Sequence, residues 1–554
     1  MEIEKFAPVF DKPEFSEQDK HAIEPFFTNI DKPVFAVTFI PPEVIGALCA
    51  KTSRAKEDLR AIFLNEFIKP FLEDQGQYGK SLNSLIEFLH QNPLEVIFSN
   101  PKGREFYIKW LAQFGDDSIA QMAGSHLIYA GISQLGIKHI EDMRLGIAPI
   151  EKSTRYVDYS AKVNGQYLYY VDPTLADMGL EKEYREVMDN LFLTYTQINT
   201  KYYELLKSKY PEEKEIVLKT KAFDVARKLL PVSTLSSVSF FGNGQAYEYM
   251  ISRSLDNKLG EVRWIGQKAL DELNKIIPAF LRRVESDDSK AYRTYLSERG
   301  ERINKVLFEE KWQKEVIPSQ TNVKLLDYDG DGENKVIAGL VYPELHEPYS
   351  RVLGRVRRLS QEDKDRILRE VLKDRKQRYY KIPRAFENTY LRFEIAMNIG
   401  AWRDLHRHRV HTQYRQKFSP YNGFDIPVEL KEVDLEADFK AAVAQAEELY
   451  EKVKKHDEEV AQYCCTLAHK VRFVQYQNLR SFFWESELRT ISQGHPDYRR
   501  IEHDKIKLVQ KIYPLLAKYL LADMNEYDFA RRGVPDQIKR KEEELKKYFS
   551  EKAK

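Results

Sequence analysis

The sequence predicts an α+β protein made of two related, helix-rich halves. Stretches with apolar residues at three- and four-residue spacing dominate the chain, which is the pattern of amphipathic helices. Two pairs of similar segments recur in the same order, which indicates an internal duplication. The length of 554 residues allows two large domains, and the content of 42% hydrophobic and 31% charged residues is typical of a globular protein.

The helical pattern starts at Pro41 and returns throughout the chain. Further helical stretches are predicted at residues 117–143, 181–208, 222–230, 245–285, 361–379, 388–407, 433–470 and 498–523. Strand-like runs are fewer and are predicted at residues 33–40, 166–171, 335–341 and 471–475. The pattern therefore favours many helices packed on few strands.

The repeated segments define the two halves. A double phenylalanine follows a helical run in SVSFFGNGQAYEYMI near residue 240 and in LRSFFWESELRTI near residue 482. A basic, hydroxyl-bearing loop ends a long helix at residues 137–160 and again at 402–424. The charged segment between the halves has no core pattern, so we place the boundary there. The predicted organisation is an N-terminal extension at 1–33, a first repeat at 34–285, a linker at 286–324 and a second repeat at 325–545.

Composition excludes several classes of function. Lys and Arg number 87 against 86 Asp and Glu, so no basic excess points to nucleic acid. No run approaches the roughly 18 apolar residues of a membrane span, and the N-terminus lacks an apolar signal region. The three cysteines, Cys49, Cys464 and Cys465, form no CxxC pair and are interpreted as reduced thiols. We therefore predict a cytoplasmic protein.

The most reactive-looking segment is the basic loop that begins with Arg407, His408 and Arg409. Guanidinium groups bind phosphate, carboxylate or an imide through two parallel hydrogen bonds, and histidine stacks or moves a proton. The alternative is an ordinary basic surface at a helix C-terminus, which the helix dipole favours. A metal site at His406, His408 and His411 is disfavoured, because the neighbouring arginines repel a cation. The acidic segment 327–332 also lacks the final ligand of a calcium loop.

This loop resembles the signature of the flavin-dependent thymidylate synthases, R-H-R-x-x-S followed by S-x-R. Arg407 to Arg409 match the first triplet, Thr412 stands at the serine, and Lys417 and Ser419 replace the S-x-R element. Upstream, Phe386-Glu387-Asn388 resembles the Phe-Glu-His of the family. Downstream, the similar segments are Arg480-Ser481, Phe482-Phe483-Trp484, Glu487-Leu488-Arg489, Gln493 to Pro496 and Tyr498-Arg499-Arg500.

The first half resembles the same family at other positions. Gly115 to Met122 is similar to the opening motif of the family, and Gly131-Ile132-Ser133 to its Gly-Ile-Ser turn. The segment around Met143-Arg144-Leu145 stands at the triplet, which is lost there. Ser153-Thr154-Arg155-Tyr156 keeps the S-x-R-Y element, with Glu151 at an acidic position of the family. Each half therefore keeps what the other half lacks.

The resemblance implies two tandem units, each around an antiparallel sheet, and an enzyme that methylates dUMP to dTMP. The cofactor would be FAD, and NADPH and methylenetetrahydrofolate would be co-substrates. Catalytic residues would be Arg489, His495 and Arg499, contributed by a neighbouring domain. Residues near the flavin would be Asn388, Arg407, His408, Arg409, Thr412 and Arg415. Residues near the nucleotide would be Ser153, Arg155, Arg403 and Arg480.

Two other functions stay open at this point. Because neither half has the complete signature, the chain is alternatively a flavin- or nucleotide-binding regulatory relative. A flavin methyltransferase that acts on another uracil-containing substrate is the third reading. All three readings imply a small-molecule ligand rather than nucleic acid or membrane. The family also implies a homodimer that reproduces a tetramer of single units.

Overall fold

A computed structural model describes residues 2–73, 76–92, 101, 102, 105, 109, 117–310, 312, 316–319 and 322–552. The chain forms two compact units. The first unit comprises Met1–Gln197, Leu229–Val316 and Ala437–Thr466. The second unit comprises Ile198–Lys228, Ile317–Glu436 and Leu467–Lys554. Each unit thus contains one segment that comes from the other half of the sequence.

Each unit contains a four-stranded antiparallel sheet, which confirms the predicted fold class. The first sheet has the order β1-β2-β4-β3, and the second has the order β5-β6-β8-β7. The strands of the first sheet are β1 Val34–Ala36, β2 Gly124–Ser133, β3 Ile147–Glu151 and β4 Leu235–Asn243. The strands of the second sheet are β5 Val323–Tyr328, β6 Tyr390–Asn398, β7 Thr412–Arg415 and β8 Lys470–Asn478. The same strand order in both sheets shows that the two units share one architecture. The double phenylalanines are not equivalent, because Phe240-Phe241 lie in β4 and Phe482-Phe483 lie in the helix Leu479–Arg489.

Helices surround both sheets. In the first half of the chain they are α1 Glu17–Ile23, α2 Pro42–Thr52, α3 Leu59–Phe63, α4 Lys69–Leu72, α5 Gln77–Gln91, α6 Asp117–Met122, α7 Gln134–Glu141, α8 Thr174–Asp177, α9 Glu181–Lys209, α10 Glu215–Ala226, α11 Gly244–Leu255, α12 Gly260–Leu273, α13 Pro278–Leu281 and α14 Asp287–Glu309. In the second half they are α15 Gly332–Val341, α16 Tyr349–Arg357, α17 Gln361–Leu372, α18 Ile399–His406, α19 Glu436–Lys454, α20 Glu458–Ala461, α21 Leu479–Arg489, α22 Pro496–Ile512, α23 Pro514–Ala517 and α24 Val534–Lys552. None of these described helices combines the length and apolar character needed to cross a bilayer.

Helix caps fix the correspondence between the two repeats. Ser133 ends β2 and caps α7, and Asn398 ends β6 and caps α18 in the same way. Asn243 caps α11 after β4, and Asn478 caps α21 after β8. Such side chains satisfy the free N–H groups of a first helical turn. Positions counted from these caps and from the strand register can therefore be compared between the two units.

Four secondary-structure predictions were wrong. Residues 166–171 were predicted as a strand but form only isolated bridges, at Gln166 and Tyr169. Residues 124–133 and 390–398 form strands β2 and β6, although their apolar spacing predicted helix. Residues 335–341 belong to helix α15, although they predicted strand. Strand β2 carries buried residues on both faces, and a short apolar run of this kind does not distinguish strand from helix by periodicity. Strand β6 does alternate buried and partly exposed residues from Tyr390 to Ile395, but it is followed directly by a helix and was included in that helical stretch. The predicted linker contains α14, a 23-residue helix without buried residues.

Three equivalent helices contact the sheet in each unit, and in the first unit these are α7, α11 and α12. In the first unit a core around Leu127, Tyr129 and Phe240 lies on one face of the sheet. A second core, with Phe35 and Ile128 of the sheet and residues of α1 to α5, covers the other face. In the second unit helices α18, α21 and α22 contact the sheet. The candidate site is built on these three helices.

Candidate functional site

The Arg-His-Arg triplet begins where α18 ends. Asn398 starts this helix by accepting a hydrogen bond from the Ala401 N–H, and Arg407 is the residue at its C-terminus. The Arg407 side chain lies 3.3 Å from an Asp404 carboxylate oxygen and is 35% exposed. A cation at this position is stabilised by the negative end of the helix dipole. The loop then leads through His411 into β7.

His408 and Arg489 form the closest contact between separated parts of the predicted site. The Arg489 Nε–H donates to His408 Nε2 over 2.7 Å. The ring must be neutral at Nε2 to accept this bond, which leaves its proton on Nδ1. The pKa of His408 is lowered to about 3, mainly by burial; Glu485 opposes this shift and the positive charge of Arg489 adds to it. His408 is therefore a neutral hydrogen-bonding ring at physiological pH.

Aromatic contacts continue from Arg489 toward the start of α22. The guanidinium lies 5.7 Å from the centre of the Tyr498 ring, a cation–π arrangement. The Tyr498 ring lies 6.3 Å from the ring of His495, the residue that caps α22. The segment from Arg489 to Tyr498 thus connects the triplet loop with the first turn of α22.

A cavity of about 310 Å³ opens beside this turn. Its lining combines basic groups, carboxylates and a tyrosine, all within the second unit. The lining residues are Lys221, Asp224, Val225, Lys228, Ile426, Pro427, Val428, Glu429, His495, Pro496, Asp497, Arg499, Arg500, His503, Glu526, Tyr527, Asp528 and Ala530. A cavity of this size with several polar groups is suited to part of a small ligand.

Asp497 anchors the cavity wall. Lys228 Nζ lies 2.9 Å from its carboxylate, and the Asn398 side-chain amide donates to the same carboxylate over 2.8 Å. Burial alone opposes ionisation, but the charge of Lys228 holds the pKa of Asp497 well below its usual range. The His495 Nε2 lies 4.0 Å from an Asp224 oxygen. The wall is therefore a fixed arrangement of paired charges.

A family model described as thymidylate synthase complementing protein matches residues 45–279 and 324–515. The two matched segments lie in the two repeats. The chain belongs to this family. Membership gives the chain a thymidylate synthase-related role in nucleotide metabolism.

Three relatives extend over nearly the whole chain. A UPF0159 protein from Chlamydia muridarum is 36% identical over 527 residues, which cover 94% of this chain and 97% of the relative. A UPF0159 protein from Chlamydia pneumoniae is 33% identical over 531 residues, which cover 94% of this chain and 97% of the relative. A UPF0159 protein from Thermoplasma acidophilum is 27% identical over 525 residues, which cover 88% of this chain and 96% of the relative. The two-repeat arrangement is thus matched over nearly the full length of all three relatives.

Arg489 occupies a different place from the one predicted from the thymidylate synthase complementing family. It was expected to come from a neighbouring domain, yet it contacts His408 within the second unit. The reason is topological: α21 follows the central strand β8, and its last residue lies against the triplet loop. His495 and Arg499 belong to the same unit and line its cavity.

Arg499 is held by the protein itself. Its guanidinium donates to the carbonyl oxygens of Thr490, Asp523 and Asn525, at 3.0, 3.3 and 2.7 Å. It is 4% exposed. These bonds tie the segment before α22 to the chain after α23. The geometry therefore favours a structural role for Arg499 over the predicted contact with a nucleotide ring.

Two other predicted residues also have partners in their own unit. Arg480 donates to a Glu387 carboxylate oxygen over 2.8 Å and to the Ile382 carbonyl oxygen over 3.0 Å. Asn388 is exposed and donates to the Ala385 carbonyl oxygen over 3.0 Å. Thr412 is exposed at the start of β7, opposite Tyr476 of β8.

The remaining predicted residues divide between the two units. Arg403 is 4% exposed on α18, and Arg415 lies 4.3 Å from the Phe418 ring centre. Ser153 and Arg155 lie in the first unit, where the Arg155 N–H donates to the Ser153 hydroxyl over 3.2 Å. Their predicted contact with a nucleotide stays a prediction. Of the family's opening motif, Gly115 and Asp116 lie outside the described residues.

In the first unit, the region that corresponds to the triplet loop contains a buried set of ion pairs. Lys138 pairs with Glu141 and Glu151, and all three side chains are buried. Counted from the caps and the register, the corresponding residues of the second unit are Arg403, His406 and Arg415, which are all basic. The first unit has thus replaced two basic positions with carboxylates. Asp142, Met143 and Arg144 correspond to Arg407, His408 and Arg409 when both are counted from the caps Ser133 and Asn398. The structure thus fixes the alignment of the two segments to the residue.

Sequence reasoning missed a set of buried polar residues beneath the triplet loop. Glu485 and Lys505 are 0% exposed, and neither belongs to a motif of the family signature. Counted from the equivalent caps Asn243 and Asn478, Glu485 stands opposite Met250, so a charge replaces an apolar residue at a core position. The double phenylalanines do not give this correspondence, so the sequence alone offered no signal.

Glu261 is the residue of the first unit that corresponds to Asp497 of the second. Glu261 and Asp497 are both the second residue of their helix, but Glu261 accepts from Ser133 and Tyr463 hydroxyls, at 2.5 and 2.7 Å, instead of from a lysine. Burial therefore raises the pKa of Glu261 to about 7. Because the folded state binds the Glu261 proton more tightly than the unfolded state, this group stabilises the fold fully below pH 4.5. The stabilisation is lost as the pH rises through about 7, the pKa of Glu261 in the folded protein.

We expect wild-type unfolding free energy to fall by about 3 kcal/mol between pH 4 and pH 8 through this group. Glu261→Gln keeps an acceptor for Ser133 and cannot ionise, so it should flatten that part of the profile. Chemical denaturation across this pH range measures both profiles. Parallel wild-type and variant profiles would contradict the assignment.

Proposed function

We propose that the protein is an FAD-dependent thymidylate synthase whose working site lies in the second unit. The observation that carries this proposal is the hydrogen bond from Arg489 to His408. It joins two separated segments that resemble the flavin-dependent thymidylate synthases. The proposal includes dUMP as the methyl acceptor, methylenetetrahydrofolate as the one-carbon donor and NADPH as the reductant.

The residues present fit a flavin on chemical grounds. Arg407 and Arg409 offer guanidinium groups to phosphate oxygens, which they bind with paired donors. The neutral His408 ring offers a flat, hydrogen-bonding surface to a heteroaromatic ring. When bound, reduced FAD supplies the hydride. The protein's own part is to hold the ligands and to exclude water.

Arg489 is suited to stabilise negative charge on a pyrimidine ring. Among the described residues, its hydrogen bond to protein is the one from Nε, so the two terminal nitrogens have donors to offer a ligand. The side chain is half-buried, and its orientation is fixed by His408 and by the Tyr498 ring. A fixed guanidinium in a partly dry site stabilises a developing anion more strongly than water does.

His495 and the neighbouring cavity would receive the polar part of a substrate. His495 is 3% exposed, and its Nδ1 accepts a hydrogen bond from the Asp497 N–H over 3.1 Å. The ring therefore turns Nε2 toward Asp224, across from the cavity wall of Asp497 and Lys228. Arg499, by contrast, supports the cavity through its carbonyl contacts. We assign it a positioning role.

Flavin binding is the first expected result. Purified protein should show the visible absorbance of a bound flavin, or acquire it when FAD is added, because the triplet site has cationic and aromatic groups for it. The control is the same titration with FMN, which lacks the second phosphate and should bind more weakly. No flavin spectrum under either condition would rule out both enzyme readings.

The substrate is tested by release of tritium from 5-tritiated dUMP in the presence of FAD, NADPH and methylenetetrahydrofolate. Release confirms thymidylate synthesis. Flavin binding without release would favour a methyltransferase on another uracil-containing substrate or a regulatory protein. The regulatory alternative has support in the structure, since Arg480 and Arg499 already have protein partners. Assembly as a homodimer belongs to the proposal and is measured by sedimentation.

A further inference from the structure

Five buried polar side chains lie beneath the triplet loop: His411, Gln475, Glu485, Glu502 and Lys505. We call them the buried cluster. We propose that the buried cluster is a positioning device that fixes the orientation and tautomer of His408 and the direction of Arg489. The inference deepens the proposed function and rests on it for its effect on turnover. Its structural part stands independently of any ligand.

Direct contacts join the members of the buried cluster. Lys505 Nζ lies 3.0 Å from a Glu485 oxygen and 2.9 Å from a Glu502 oxygen. The Gln475 amide donates to the same Glu485 oxygen over 2.7 Å. His411 Nδ1 lies 3.2 Å from that amide nitrogen. The contacts connect helices α21 and α22 with strand β8 and with the loop that follows the triplet.

The buried cluster is removed from water almost completely. Lys505, Glu485, Glu502 and Gln475 are 0% exposed and His411 is 3% exposed. The Lys505 charge outweighs burial at Glu485 and lowers its pKa, whereas burial wins at Glu502 and raises its pKa. Lys505 thus balances the ionised Glu485 carboxylate, while Glu502 is protonated more readily than an ordinary carboxylate.

The first unit shows that this fold does not require charges at these positions. Counted from the shared caps, Glu485 corresponds to Met250, Glu502 to Gly266 and Lys505 to Ala269. By strand register, Gln475 corresponds to Phe240 and His411 to Ile147.

The side chains at those equivalent positions form an apolar core. Met250, Ala269, Phe240 and Ile147 all belong to one buried hydrophobic cluster of the first unit. The same architecture in one chain is therefore built once with an apolar core and once with buried ions. Burying ions is expensive compared with packing apolar groups, so the buried cluster calls for a reason beyond folding.

We infer that the buried cluster is kept because it lies next to His408 and Arg489. The His411 ring lies 6.0 Å from the His408 ring, with the planes only 20° apart. Glu485 and Arg489 are four residues apart on α21, so they share a helix face. Glu485 and Lys505 also act on His408 with opposite signs, the first raising and the second lowering its pKa. Fixed partners of this kind hold a functional ring in one tautomer and one orientation.

The test replaces the central ion pair by apolar residues of similar length, Glu485→Met with Lys505→Met. Removing both charges together avoids an unpaired buried ion, so the variant should fold with an unchanged far-ultraviolet spectrum. Turnover of dUMP should fall by about 10- to 100-fold, while the KM for dUMP changes little. Nitrogen NMR of histidine-labelled, ligand-free protein should show one tautomer for His408 in the wild type and a mixture in the variant.

A matched control removes an exposed ion pair of the same unit. Lys518 lies 2.8 Å from Asp365, and both side chains are partly exposed. Lys518→Met with Asp365→Asn should alter neither turnover nor the histidine signals. Glu485→Gln is the second variant, because it keeps the shape and leaves Lys505 paired with Glu502. It should produce the same change in the tautomer signals.

The outcomes separate this inference from the proposed function. Unchanged tautomer signals in both variants would overturn the inference, whatever the activity. Unchanged turnover in a folded double variant would overturn it as well. Absence of dUMP turnover in the wild type would defeat the proposed function, whereas a changed tautomer in the ligand-free variant would still support the buried cluster as a positioning device.

Discussion

Replacing Arg407 with alanine should weaken FAD binding by about 10- to 100-fold, enough to lose the flavin during purification. A hydrogen bond to a charged group contributes about 1.5–3 kcal/mol, which corresponds to that range of affinity. Arg407 ends α18 and is partly exposed, so its removal should leave the fold intact. Equilibrium titration of FAD, followed by visible absorbance, measures the effect.

Arg144→Ala is the matched control. Arg144 is the arginine of the segment that replaces the triplet in the first unit, and it adopts a left-handed backbone conformation with φ of 58°. It should change FAD affinity less than threefold, roughly 0.6 kcal/mol or below. Equal effects of the two substitutions would argue against a flavin site at the second triplet.

Replacing Lys505 alone with methionine should destabilise the protein by about 3–5 kcal/mol, because it leaves Glu485 buried without its counter-ion. Lys505 and Glu485 are both fully buried and lie 3.0 Å apart. The loss should appear as a lower midpoint in thermal and chemical unfolding. It should also depend on pH, since protonation of the stranded carboxylate relieves it in acid.

The double variant provides the comparison for this prediction. With Glu485→Met added, stability should return to within about 1–2 kcal/mol of the wild type, because paired removal of buried ions is often neutral. A double variant as unstable as Lys505→Met would mean that the ion pair stabilises the fold itself. That result would contradict the argument drawn from the apolar core of the first unit.

The repeat was the part of the fold most accessible from the sequence. Two similar segment pairs in the same order predicted a duplication, and the two sheets have the same strand order. The pair at 137–160 and 402–424 begins in equivalent helices, whereas the double phenylalanines lie in a strand of one unit and a helix of the other. Strand β2 was missed because it is buried on both faces, which erases the alternation that marks a strand. Strand β6 does alternate from Tyr390 to Ile395, but it runs directly into helix α18 and was included in one helical stretch. The exchange of segments such as Ile198–Lys228 between units has no local sequence signal.

The sequence predicted which motifs belong to the candidate site, but it did not predict the contacts between them. The triplet and the segment of Arg489 were identified as separate stretches, and the structure brings His408 and Arg489 within 2.7 Å. The sequence shows Arg499 only as a cation and not the three carbonyl groups that accept its hydrogen bonds, so its predicted contact with a ligand stays a prediction. The buried cluster was missed because its members are spread over nearly one hundred residues without a shared motif.

The two halves illustrate how a duplicated fold specialises. The first unit closes its equivalent of the basic pocket with Lys138, Glu141 and Glu151, and it fills the space beneath with apolar residues. The second unit keeps basic residues at those positions and places polar groups beneath them. The proposed function assigns the chemistry to the second unit, whereas the first unit has an apolar core at the equivalent positions.

A crystal structure of the protein with FAD and dUMP would show whether both ligands bind in the second unit. We expect the flavin ring against His408 and the pyrimidine within hydrogen-bond distance of Arg489. We expect no flavin at the segment of Asp142 to Arg144. A flavin bound elsewhere, with Arg407 and Arg409 in open solvent, would contradict the proposed function.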